Sequence, residues 1–203
     1  MSGVSTILFL KQMLRLQRFK KENALCLKRA FDDVFDNSEL PYFEDFQNCG
    51  MGPSFVGIDR AGIIQAFILV RHTPLKEAAF EIAYLGVSNR YKRKGYGERL
   101  IELVKGAVGK GGVWLNVFDS NVGACALYKK LGFEELRRFS TETDEVGILF
   151  VSGIKCWHCD TSLAFKDVIV EDYPVRVVYT EKGFSRVEEK IRICWNCRTR
   201  VES

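Results

Sequence analysis

A strand that runs into a basic, glycine-punctuated turn and out into an amphipathic helix constrains this chain more than any other feature. The strand reads Glu81-Ile-Ala-Tyr-Leu-Gly-Val87 and the turn Lys92-Arg93-Lys94-Gly95-Tyr96-Gly97. The helix continues Glu98-Arg99-Leu100-Ile101-Glu102-Leu103-Val104. Glycines remove the side chains that would keep a ligand from the backbone, and a helix start offers N–H groups at the positive end of its dipole. With three cations beside it, this turn is built to hold an anion, with a pyrophosphate as the natural fit. A solvated helix start is the plain alternative. The spacing is that of neither common nucleotide loop, being neither G-x-G-x-x-G nor a Gly-Lys-Ser/Thr ending.

A second segment follows the same plan. It reads Val113-Trp-Leu-Asn-Val-Phe118, then Asp119-Ser120-Asn121, then Ala124-Cys125-Ala126-Leu127-Tyr128-Lys129-Lys130-Leu131-Gly132-Phe133. That is an apolar strand, an Asx-type turn or helix cap, a short helix, a glycine stop and a further strand. Upstream, residues 4–10 read as a buried first strand, too short to span a bilayer and without the flanks of a secretory signal. Residues 18–36 read as a helix, with Ala24, Leu25, Leu27, Phe31, Val34 and Phe35 at near-helical spacing. Ser54–Ile58 and Ile63–Arg71 read as two strands joined through Asp59-Arg60-Ala61-Gly62. Strands near Phe133–Phe139 and Glu145–Val151 close a mixed sheet, which makes residues 1–153 an α/β domain of the α+β type.

Together the two segments resemble the GNAT superfamily of acetyl-coenzyme A-dependent N-acetyltransferases. The first matches the family's Arg/Gln-x-x-Gly-x-Gly/Ala pyrophosphate motif, with Lys92 where the family has arginine or glutamine. The second matches its Asn-x-x-Ala-x-x-Leu-Tyr-x-x-x-Gly-Phe motif at Asn121, Ala124, Leu127, Tyr128, Gly132 and Phe133. The resemblance implies a GNAT-like mixed sheet flanked by helices and acetyl-coenzyme A as co-substrate. It implies cofactor contacts at Lys92, Arg93, Lys94, Gly95, Tyr96, Gly97, Glu98 and Asn121. It also implies a bulge at Gly86 that splays two strands and admits the pantetheine arm, with main-chain groups of Leu85 and Val87 binding that arm. Lys92 lacks the planar fork of arginine, so phosphate contact there leans on backbone N–H groups.

Acetyl transfer from a thioester to an amine makes three demands: the amine must lose a proton, the developing oxyanion needs donors, and the sulfur must leave as a thiol. An alkylamine has a pKa of ~10.4 and is mostly protonated at neutral pH, so a carboxylate within reach can serve as general base. In the histone-type branch of the family the pattern Glu-x-x-x-Leu-x-Val carries that base, and Glu81, Leu85 and Val87 match it. The plain alternative is a strand glutamate facing solvent. Tyr128 stands where the family places a general acid, and a phenol of pKa ~10 can protonate a thiolate whose acid lies near ~8.5. Its alternative is a partly buried tyrosine capped by a hydrogen bond. Asn116 stands where bacterial enzymes that acetylate ribosomal-protein N-termini often carry glutamate, which weighs against an N-terminal acceptor. Cys125 reads as a small core residue; neither His72 nor His158 lies near a motif to partner a cysteine nucleophile.

Composition shifts at Ser152-Gly153. Beyond it lie Cys156-Trp-His-Cys159, strand-like runs at 165–170, 175–179 and 187–193, and Cys194-Trp-Asn-Cys197. Cys156, Cys159, Cys194 and Cys197 can present four thiolates in a tetrahedron, so residues 154–203 read as a zinc ribbon with a structural Zn2+. A module of about 50 residues has too little core to fold well alone, which makes a metal staple useful. Seven cysteines used this way suit a reducing, intracellular compartment, cytoplasmic or nuclear, rather than a disulfide framework.

The resulting expectation is an N-acetyltransferase acting on a primary amine, a protein lysine or a polyamine. Its rival is a non-catalytic protein that reuses the fold and docks through the ribbon. The ribbon is a candidate dock for a protein or nucleic-acid target, although nine Lys/Arg against eight Asp/Glu from Ile154 onward are too balanced for strong phosphate binding. Net charge +4 is likewise too mild to argue for nucleic acid. The acids Asp32, Asp33, Asp36, Glu39, Glu44 and Asp45 interleave with Phe31, Phe35, Tyr42, Phe43 and Phe46. As an acidic, aromatic lip they would favour a cationic acceptor such as a basic peptide. An amphipathic helix with its acids in water is the alternative.

Overall fold

Apolar residues at every second position set the strands, and those spaced three and four apart set the helices. The computed structural model describes residues 13–20, 24–35, 52–72, 78–141, 144–154, 169–180 and 183–193. Within them run β1 (Arg15–Arg18), α1 (Ala24–Asp32), β2 (Phe55–Ile58), β3 (Ile64–His72) and β4 (Phe80–Val87). There follow α2 (Tyr96–Val108), β5 (Gly111–Phe118), α3 (Val122–Lys130), β6 (Glu134–Ser140) and β7 (Val146–Ile154). The first seven strands form one sheet in the order β1-β2-β3-β4-β5-β7-β6, antiparallel except at the β4–β5 junction.

The sheet carries apolar residues on both faces, as its cover demands. On one face Leu100, Ile101, Val104 and Val108 of α2 and Tyr128 of α3 pack with Ala66, Ile68, Val70, Ile82, Leu115 and Phe150. On the other, Leu27, Ala30 and Phe31 of α1 pack with Val56, Phe67 and Leu69. The β3 run from Ala66 to Val70 is wholly buried, which fits a strand inside the sheet with helices above and below. The outer strands β1 and β6 carry Arg15, Arg18, Glu134, Glu135, Arg137 and Arg138, charges that discourage further edge pairing.

Three local readings change. The helix expected over 18–36 begins later: Arg18 pairs with Phe55 in β1, and the Phe19 N–H donates to the Ser54 carbonyl at 2.9 Å. Leu14 and Leu16 straddle Gly57, where a Cβ would come within 3.1 Å and 3.0 Å of their methyls, so here a spacing of two outweighs the helical one. The bulge falls not at Gly86 but opposite Leu69/Val70, where Tyr84 and Ile82 are paired and Ala83 is left out. Gly86 instead makes room for its cross-strand partner, because a Cβ there would collide with the fully buried Phe67 ring.

Beyond the sheet, β8 (Ile169–Thr180) and β9 (Gly183–Ile193) form an antiparallel hairpin. Its register shifts between Pro174 and Arg176, a position that tolerates a proline without a ladder N–H. The strand expected at 4–10 and the four cysteines of the C-x-x-C pairs lie outside the described residues. No helix among the described residues is long and apolar enough to cross a membrane.

Candidate active site

The sheet opens at one place. β4 and β5 pair only at Phe80↔Val113 and Glu81↔Trp114. β4 then runs on to Val87 and β5 to Phe118. Past Glu81 the strands part, so main-chain groups on one edge of each are turned toward a gap. Leu85 and Val87, both half-buried, lie on the β4 side of it.

The basic turn closes one end of this region. Arg93 and Gly95 take left-handed φ values of +60° and +78°, and Gly95 caps α2 with no side-chain bond to the helix start. Among the described residues, no backbone carbonyl accepts from the N–H groups of Arg93, Gly95, Gly97 or Glu98. Alternating left- and right-handed residues turn successive N–H groups to one side, which makes an anion-binding concavity. A Cβ on Gly97 would sit at 3.6 Å from Leu127 Cδ2 and 3.9 Å from Leu85 Cδ2. Those are ordinary contacts, so the protein itself does not demand glycine there; an approaching ligand would. The same contacts bring the start of α2, α3 and β4 together.

Lys92, Arg93 and Lys94 are exposed. Lys94 Nζ lies 5.0 Å from the Tyr91 ring and the Arg99 guanidinium 5.9 Å from the Tyr96 ring. The Tyr96 side chain is turned inward, its hydroxyl accepting from the Leu14 N–H at 2.9 Å, so that residue offers a ligand its backbone alone. Glu98 accepts from Lys130 at 2.7 Å, a pair that ties α3 to the first turn of α2. Asn121 caps α3 by accepting from the Ala124 N–H, which leaves its exposed amide NH2 pointing to no protein partner among the described residues.

Glu81 is not a solvent-facing strand residue. It is 6% exposed and held by Arg71 of β3, Nε to Oε2 at 2.6 Å and Nη2 to Oε1 at 3.0 Å. Tyr128 is also buried, its ring edge-on to Phe133 at 5.5 Å. Burial, with a smaller contribution from Cys125, pushes its phenol up to about 12. Among the described residues its hydroxyl has no hydrogen-bond partner, so the cap that would make Tyr128 purely structural is absent there. Cys125 is buried with Sγ 3.6 Å from the Phe118 carbonyl, as a core residue should be. Asn116 is exposed on β5.

The aromatic part of the acidic lip needs correction. Phe31 is fully buried and Phe35 partly so, their rings tilted at 4.7 Å and packed against Tyr84 and Phe67. These rings hold α1 to the sheet and are not open to an acceptor. Asp32 and Asp33 are exposed, Asp32 within 3.4 Å of Lys28; residues 36–46 lie outside the described residues. Arg71 is the functional candidate that a reading of the sequence passes over. Its signal is a lone cation closing an otherwise apolar run, and its meaning depends on a cross-strand register.

A profile described as the acetyltransferase (GNAT) family matches residues 18–133. An uncharacterized Mycobacterium leprae protein is 33% identical over 114 residues, covering 53% of this chain and 26% of its own length. The chain thus spans about a quarter of the curated relative it matches. Arabidopsis thaliana NAA60 bound to a bisubstrate analogue is similar in structure at a TM-score of 0.53 and 24% identity, over 68% of this chain and 97% of that one. The Escherichia coli ribosomal-protein-S18-alanine N-acetyltransferase gives 0.57 and 23%, over 74% of this chain and 100% of that one. At these identities the likeness is one of fold.

Two outcomes follow from this geometry. Gly97→Val should leave the protein folded but raise the dissociation constant for coenzyme A by about an order of magnitude, since the added methyls fill the ligand's approach. Calorimetric titration giving the wild-type constant would refute it. For Tyr128, the folded-state value lies above the unfolded ~10, so its contribution is complete below pH ~10 and lost as pH rises toward about 12. Urea titrations should show on the order of 2–3 kcal/mol of alkaline destabilisation from this group, missing in Tyr128→Phe. Equal pH dependence in both proteins would contradict the assignment.

Proposed function

The chain belongs to the acetyltransferase (GNAT) family, and from that premise we propose that it transfers the acetyl group of acetyl-coenzyme A to a primary amine, on a protein lysine or a polyamine. The observation that carries this is the coincidence of two features. The strands part after Glu81↔Trp114, and the anion turn at the head of α2 meets β4 and α3 through Gly97. A molecule with a pyrophosphate and a long narrow arm fits that pairing. The N–H groups around Gly95 suit its phosphates, and strand edges without ladder partners suit its amides.

In this reading the thioester supplies an activated acetyl carbon. Glu81 takes a proton from the acceptor ammonium, directly or through water, leaving the nitrogen its electron pair. A C–N bond forms as the C–S bond breaks, and the second proton shed by the nitrogen passes to the departing sulfur, so that a neutral amide and a free thiol result. Main-chain N–H groups near Leu85 and Val87 stabilise charge on the acetyl oxygen. Tyr128 donates to the departing sulfur. Full proton transfer from a phenol at about 12 to a thiolate near ~8.5 is uphill by roughly 5 kcal/mol, so hydrogen-bond donation is the larger part of its role. The acids at the end of α1 and after it favour a cationic acceptor by steering.

The C-terminal segment, residues 154–203, is read as a zinc-bearing ribbon that docks a protein or nucleic-acid target or braces the catalytic domain. Pairing of Ile169 with Ile193 supports this, because the hairpin folds most of the 34 residues between the two C-x-x-C pairs back on themselves. Cys194 then follows directly from the hairpin's open end. Four thiolates suit Zn2+ in a closed tetrahedral site.

Coenzyme A at about a hundred times its dissociation constant should stabilise the protein by ~2.7 kcal/mol, read as a rise in Tm. Acetyl-coenzyme A should then acetylate a basic lysine peptide or spermidine, with KM rising with ionic strength. No thermal shift at saturating coenzyme A would favour the non-catalytic rival. Elemental analysis should find one zinc per chain, released as pH falls and thiolates protonate; metal-free protein with paired disulfides would refute the ribbon.

A further inference from the structure

We infer that Arg71 is a positioning residue for the acetyl transfer, holding the Glu81 carboxylate in place at the point where the sheet opens. This rests on the reading of Glu81 as general base. The register places Arg71, Glu81 and Trp114 side by side on β3, β4 and β5, and Glu81↔Trp114 is the last pair before β4 and β5 separate. The carboxylate therefore stands at the vertex of the gap.

The pair is bidentate, with both carboxylate oxygens engaged at 2.6 Å and 3.0 Å. A guanidinium is a planar fork that stays charged, so it fixes the plane of the carboxylate and keeps a counter-charge beside it. Of about four lone-pair sites on an ionised carboxylate, the fork occupies two and leaves one on each oxygen for a substrate proton or water. The Glu81 side chain is 8% exposed and that of Arg71 32%. Bulk water thus reaches the cation more readily than the anion. A largely buried ion pair is a poor source of stability, because an apolar pair of similar volume usually does as well. Its place at the vertex suggests selection for geometry. On the same face the register places Glu134 in the same row two strands beyond Trp114 and Arg137 opposite Leu149, with the Tyr84 phenol further along β4.

The test is a double-mutant cycle in the full-length chain, with acetyl-coenzyme A and whichever of a basic lysine peptide or spermidine the wild type acetylates. Glu81→Gln should lower kcat by about 100-fold or more. Arg71→Met should lower kcat by at least about tenfold with the KM for acetyl-coenzyme A within about twofold of wild type. In the Glu81→Gln background the same Arg71→Met change should alter kcat by less than about twofold, since a residue acting through another has no effect once that partner is gone. Arg71→Lys should recover part of the loss, keeping the charge without the fork. The Arg71→Met/Glu81→Gln double variant leaves no unpaired buried charge, so it guards against a result caused by misfolding. Equal losses in both backgrounds, or wild-type kcat in folded Arg71→Met, would overturn the positioning role. Wild-type kcat in Glu81→Gln would instead remove the general-base reading, which is the separate failure.

Discussion

Everything at the candidate site depends on β4 and β5 staying paired for two residues and then parting. A parallel junction inside an otherwise antiparallel sheet leaves backbone groups without ladder partners, which a folded chain tolerates only where something else satisfies them. The long α2 lies between these strands in sequence and packs Leu100, Ile101, Val104 and Val108 beneath the sheet. Its N-terminus is thereby carried to the end of β4. The gap and the anion turn are two results of one crossover connection.

The turn itself is held by groups that do not face the ligand. Tyr91 and Tyr96 are buried edge-to-face at 6.0 Å, and Tyr96 is tied to Leu14 at the entry to β1. Arg93 keeps a left-handed conformation that costs a non-glycine residue roughly 1–2 kcal/mol. Such strain persists where surrounding structure over-determines it, and here it aims the amide groups outward. The cations near the rings gain modest cation–π stabilisation, which offsets part of their mutual repulsion.

The two faces of the sheet differ in burial and charge. Phe31, Phe35, Phe67 and Tyr84 form an aromatic wedge that seats α1, and Glu81 lies on the same face of the sheet. Tyr128, approached from the opposite face, is insulated enough to remain a neutral donor at any physiological pH. In the proposed reaction Glu81, with its own cation, and the neutral Tyr128 phenol would serve opposite ends of the acetyl transfer.

Much of this is legible in the amino-acid sequence. The strand Phe80–Val87 and the helix that follows, the hairpin through Asp59, and the Asn121 cap all rest on local rules: alternation, turn chemistry and capping act over a few residues. The Lys92–Gly97 turn is legible as a glycine-punctuated helix start for the same reason. Other features are settled by partners distant in sequence. Whether Glu81 meets water or Arg71, whether Gly86 is a bulge or a berth for Phe67, and whether Phe31 faces a ligand or the core all depend on cross-strand register and helix seating. So does the placing of Arg18 in strand rather than at the start of the helix, where pairing with Phe55 of β2 decides. Beyond β1, local sequence determined which segments become strand, turn and helix, because those preferences act between near neighbours. Tertiary structure decided which side chains meet, because burial and the protonation state of a phenol are properties of an environment assembled from the whole sheet.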